Sequence, residues 1–175
     1  MTITFVTGTS SFTSKPSQTP LTSFKPTSPG SLWRPDTIPP PLQNTPAYYQ
    51  KLIGPHPPNA TQCHEISQEI LQDALVACSD GAYDQSSSVA SHGWVFGSGT
   101  LEIQQATGAG PVDGHPKFLS SYRAELSGIV TVLYLTHRIC EYYKINNGKI
   151  KCYCDNKGAL RQQLLKILPI TVLHE

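Results

Sequence analysis

The chain has 175 residues, 38% of them hydrophobic and 14% charged, with a formal net charge of +1. One ordinary domain plus appendages fits that length, and the low apolar and charged shares set part of the chain outside any packed core. No apolar stretch reaches the roughly 20 residues of a membrane-spanning helix, and MTITFVTGTSSFTSK has neither the charged start nor the continuous apolar run of a secretory signal. An intracellular setting with no membrane partner is therefore expected, nucleus and cytoplasm not being distinguished.

The near-neutral total conceals a division. No Lys or Arg lies between Lys51 and Lys117, where seven acids occur, whereas Lys117 to Lys166 holds nine basic residues against Glu125, Glu141 and Asp155. A basic half of this kind suits a polyanionic partner. The five cysteines are odd in number, and Cys78, Cys152 and Cys154 lie in apolar runs, so they read as reduced core residues. A zinc site would have to draw its ligands from unrelated spacings.

Residues 1–60 carry most of the prolines with abundant Ser and Thr, and read as a disordered or linker segment. Within it IPPPL (38–42) has polyproline character, and AYYQKLI (47–53) is a candidate turn of helix ended by Gly54–Pro58. Residues 61–73 follow as a bracing helix, with Ile66, Ile70 and Leu71 at helical spacing, Asn59 or Thr61 as its cap and Glu65 in its first turn. The domain proper is expected over 74–175. ALVACSDGAY (74–83) alternates apolar or small residues on both faces, as a doubly covered strand does. VASHGWVFG (89–97) and LEIQQATG (101–108), joined at Ser98-Gly99, complete an antiparallel meander. His92 reads as a sheet residue and Asp113 as a turn residue. Ser121 opens the longest helix, 122–143, whose apolar stripe of Leu126, Ile129, Val130, Leu133 and His137 is widened by Val132, Leu135, Ile139 and Cys140. KIKCYCD (149–155) is a strand, 157–168 a second helix stopped by Pro169, and ITVLHE (170–175) a further strand. Three strands, helix, strand, helix, strand make an α/β mixed sheet with helices on its faces.

Three carboxylates stand out in that order. Asp80 ends the first strand and Asp155 the fourth, so parallel neighbours bring both to the carboxyl edge of the sheet, where open α/β sheets hold their sites. Glu125 falls in the first turn of the long helix. Each has a plain alternative: Asp155 as a helix cap, Glu125 as an acid favoured by the helix dipole, Asp80 as a turn residue before Gly81. Gathered at one edge, they repel one another unless a divalent cation sits among them, and hard oxygen ligands select Mg²⁺ or Mn²⁺.

With SDGAY (79–83), GWVF (93–96), SSYRAEL (120–126) and YCDNKGAL (153–160) in this order and spacing, residues 71–175 resemble a type 1 ribonuclease H domain of the retroelement, reverse-transcriptase-associated kind. The GAGPVDG loop before SSYRAEL is similar to that of retroelement members. The resemblance implies a metal-dependent endonuclease, a hydrolase that cleaves the RNA strand of RNA–DNA hybrids with two Mg²⁺ ions. Asp80, Glu125 and Asp155 match the first three of the family's four catalytic, metal-binding carboxylates. Gly81 would allow close approach of the hybrid, Arg123 matches an arginine of the motif, and Asn156, Lys157 and Arg161 would contact substrate, the last two through phosphates. Fusion to, or descent from, a reverse transcriptase would follow.

Two departures qualify the expectation. Tyr122 stands where many members carry Asn or Gln, and the fourth carboxylate and a product-releasing histidine would fall beyond Glu175. The domain is thus expected to be incomplete at its C-terminus, its last helix missing and its last strand left with an open edge. That leaves two further readings: a catalytically impaired nucleic-acid-binding or tethering module, and a related nuclease acting on DNA.

Overall fold

A computed structural model describes residues 1–7, 33–34, 37–99, 103–155 and 171–174. The elements are β1 (Thr2–Thr7), α1 (Ala47–Ile53), α2 (Ala60–Leu71), β2 (Leu75–Asp84), β3 (Val89–Ser98), β4 (Ile103–Pro111), α3 (Ser121–Tyr143), β5 (Lys149–Tyr153) and β6 (Thr171–His174). They form an α/β structure with one six-stranded mixed sheet in the order β4-β3-β2-β5-β1-β6.

The meander forms as expected: β2 pairs antiparallel with β3 from Leu75↔Ser98 to Asp84↔Val89, and β3 with β4. β5 returns parallel to β2, with Leu75 opposite Ile150 and Cys78 opposite Tyr153. Leu75, Ala77 and Ser79 face α3, which lays Ile129, Val132, Leu135 and Ile139 on the sheet, each almost fully buried. Ile129 and the widening residues Val132, Leu135, Ile139 and Cys140 are buried as expected, whereas Leu126, Val130 and Leu133 are half-buried and His137 is exposed.

The reading of residues 1–60 as a linker is corrected for the described part. TITFVT enters the sheet interior as β1, parallel to β5 on one side and to β6 on the other. Ile3 and Phe5 join the main core, and Val6 is buried as well. The alternation of Thr with Ile, Phe and Val suits a strand with one face on the core. β6 pairs with β1 at the edge of the sheet.

α1 is held at its C-terminal end, where helix carbonyls lack intrahelical partners. His92 Nε2 bonds the Leu52 oxygen at 2.9 Å, Trp94 Nε1 the Ile53 oxygen at 3.1 Å, and Trp33 Nε1 the Gly54 oxygen at 2.8 Å. A carbonyl only accepts, so His92 carries its proton on Nε2, and burial holds its pKa below the usual value. Tyr49 also stacks on Tyr134 of α3, ring centroids 3.8 Å apart. On α2, Asn59 and Gln62 form a reciprocal capping box, and the Gln62 side-chain amide ties the helix to the Gln105 carbonyl of β4. Glu65 lies beyond the first turn of this helix.

Phe5 is 1% exposed, so Phe5→Ala should cost about 3–5 kcal/mol in denaturant unfolding. A loss below about 1 kcal/mol would show that β1 is dispensable to the fold.

Candidate metal centre

The site is built where α3 crosses β2. A β-carbon placed on Gly81 would lie 2.2 Å from the Glu125 amide nitrogen and 2.5 Å from the Ala124 carbonyl carbon. Only glycine lets the helix backbone lie on the strand there. One helical turn on, Gly128 repeats the arrangement against Ser79, whose Cβ would be 2.9 Å from an added methyl. This seam of small residues draws Glu125 into the sheet, where it is 5% exposed. The position read for Gly81 as a point of close substrate approach is thus filled by α3 itself.

Ser120 caps α3, its hydroxyl accepting from the Arg123 amide at 3.2 Å. The helix begins at Ser121, which places Glu125 in the second turn, and no acid stands in the first. The dipole explanation for Glu125 loses most of its force, because that effect fades within one turn. Asp80 does not end its strand; β2 runs on to Asp84. The pairing of the parallel strands ends at Cys78↔Tyr153, two residues before Asp80 on one chain segment and Asp155 on the other.

Among the described residues, ligand atoms of Glu125, Cys154 and Asp155 lie within 4.8 Å of one another. Glu125 and Cys154 are buried and Asp155 is exposed, so the group opens to solvent on one side. The Cys154 thiol points to Glu125 Oε2 at 3.8 Å. Asp80 stands outside this tight group, with its Oδ1 accepting the Gly81 amide at 2.8 Å. Its charge still reaches the others. Burial, then Asp155, then Asp80 push the Glu125 carboxyl up to about 7, against the pull of the Gly81 amide and the Cys154 thiol. Burial and the same three carboxylates also raise the Cys78 thiol. The described ion pairs are Lys51–Asp113, Arg138–Glu141 and Lys149–Asp73, and none of them touches the cluster. Two clustered carboxylates with no ion pair to them among the described residues, and with one solvent-facing side, fit a divalent cation.

The structure thus brings Glu125 and Asp155 together with Cys154, while Asp80, read from the sequence as the third ligand, is not in that group and acts on Glu125 through its charge. Sequence reasoning took Cys154 for a core cysteine only. It is buried, yet strand alternation places it on the α3 face beside Glu125, a placement legible once β5 and α3 are packed together. Arg123 is exposed and turns to the loop before the helix, donating to the Asp113 carbonyl at 3.0 Å. Asn156, Lys157 and Arg161, with the helix expected over 157–168, lie outside the described residues. None of the five cysteines forms a disulfide, and no helix is long and apolar enough to cross a membrane among the described residues. No protein-family model, curated protein or solved structure matches the chain.

Two measurements follow. In the native state Glu125 holds its proton up to about pH 7, against about 4.5 for an ordinary glutamate. Its contribution to stability is therefore full below pH 4.5 and lost as pH rises through 7. In EDTA, Glu125→Gln should stabilise the fold by on the order of 3 kcal/mol at pH 8 and have little effect at pH 4.5, as read by thermal melts; a destabilised variant at pH 8 would contradict the electrostatics. Gly81→Ala should cost about 3 kcal/mol or more by forcing α3 off the strand, and unchanged stability would contradict the packing.

Proposed function

We propose that this chain is a divalent-metal-dependent endonuclease of the ribonuclease H type that cleaves the RNA strand of RNA–DNA hybrids, from a retroelement setting. The observation that carries the reading is the nearly inaccessible Glu125 carboxylate beside Asp155 with no described cation to balance them. The parallel placement of β2 and β5 supports it, because it sets the strand that carries Asp80 beside the one that leads to Asp155, below a helix that delivers Glu125. The order of the SDGAY, SSYRAEL and YCDNKGAL segments supports it from the sequence side.

Glu125, Asp155 and Asp80 would hold Mg²⁺ or Mn²⁺, which when bound supplies charge neutralisation and activation of water for phosphodiester hydrolysis. The chain's own residues have narrower tasks. Gly81 and Gly128 seat the helix so that Glu125 is fixed at the strand, and the Gly81 amide orients the Asp80 carboxylate. The solvent-facing side at Asp155 is where a phosphate can approach. Contacts from the basic second half would be sequence-independent, with hybrid distinguished by groove shape and 2′-hydroxyls.

Purified protein is assayed with Mg²⁺ on hybrid, duplex DNA and duplex RNA carrying one sequence. Selective scission of the RNA strand of the hybrid, abolished by Glu125→Gln and by Asp155→Asn, is the expected result. Hybrid bound but uncut would favour a tethering module, and cleavage of duplex DNA a different nuclease. Full activity in both variants would remove the site.

A further inference from the structure

We propose that β1 is the positioning element of the metal centre, holding the Cys154–Asp155 end of β5 in register with Glu125. The inference rests on the metal-site reading above. Asp155 and Glu125 come from different elements, so their separation depends on what fixes the chain after β5. On the β2 side the pairing stops at Cys78↔Tyr153, one residue short of Cys154. On the β1 side the last pair is likewise Val6↔Tyr153, and it is closed by the Cys154 amide donating to the Val6 carbonyl at 3.4 Å, a long bond by which β1 reaches Cys154 itself.

Packing acts in the same direction. Phe5 stands opposite Cys152 and is 1% exposed, and it shares the main core with Cys154, which is 3% exposed. Filling this corner fixes which face of the strand end meets α3, and so places the Cys154 thiol at the Glu125 carboxylate. β5 has only five residues. With neighbours on both sides, such a strand has one register; with β2 alone, its end frays beyond Tyr153. Asp155 is the first acidic residue that fraying would release. β1 touches none of the carboxylates directly, so its role is positional.

The test is a double-mutant cycle on the full chain, read by Mn²⁺ affinity from the electron paramagnetic resonance signal of free ion. One arm replaces residues 2–7 by Gly and Ser, the other is Asp155→Asn, and hydrogen exchange of the β2–β3–β4 amides reports whether the meander stays folded. Where those amides lose protection, Phe5→Ala replaces the first arm. The expected result is a roughly tenfold weaker Mn²⁺ affinity in each single variant, with no further loss when the two are combined, because both remove the same ligand. Losses that multiply in the double variant, or an affinity within twofold of the parent when β1 is altered, would overturn the proposal. A parent chain that binds no Mn²⁺ overturns the metal reading itself, a distinguishable result.

Discussion

The structure depends on the absence of one side chain. At Gly81 the backbone of α3 lies against the backbone of β2 at a distance that no β-carbon permits. The glycine that allows this contact adjoins Asp80, and the helix residue pressed on it is Glu125. One constraint therefore seats the longest helix on the sheet, buries a carboxylate and sets it near two others. Gly128 against Ser79 extends the seam by a turn, so the helix is fixed in rotation as well as position. Larger residues along that line would lift the helix and return Glu125 to water.

That arrangement opposes stability in the metal-free chain. A desolvated carboxylate beside like charges favours its protonated form, as the upward shift of Glu125 shows. No described lysine or arginine offsets the charge, although basic residues are plentiful in the second half of the sequence. Structural ion-pair networks look different: each acid there has its cation, as Lys51–Asp113 and Arg138–Glu141 do at the surface. Carboxylates perturbed in this way, with no described cation against them, mark a candidate binding site. Cys154 adds a soft, polarisable neighbour to the hard oxygens, in contact with the most buried of them.

Local pattern made much of this legible. Apolar runs in 74–83 and 89–97, and helical spacing through 122–143, marked the meander and α3 because β3, most of α3 and the first half of β2 lay a face on the core. The parallel return of β5 followed from the helix between β2 and β5. β1 was not legible. TITFVT is six residues long and precedes a run of Ser, Thr and Pro, and its partner β5 lies more than 140 residues away. Composition averaged over 1–60 masked it. The docking of α1 was hidden for the same reason, since Trp33, His92 and Trp94 reach its carbonyls from distant positions. At the site, Asp80, Glu125 and Asp155 were visible from their types and order. Three details were not: the one-residue shift of the α3 cap to Ser120, the extension of β2 to Asp84, and the place of Cys154, each fixed by packing between elements.

The central claim is that these acids share one ion, and an anomalous difference map from crystals grown with Mn²⁺ tests it most directly. The account predicts a peak about 2.0–2.3 Å from carboxylate oxygens of Glu125 and Asp155, with Asp80 turned toward it. A map with no peak there, or with the carboxylates of Glu125 and Asp155 turned to separate regions, would contradict it.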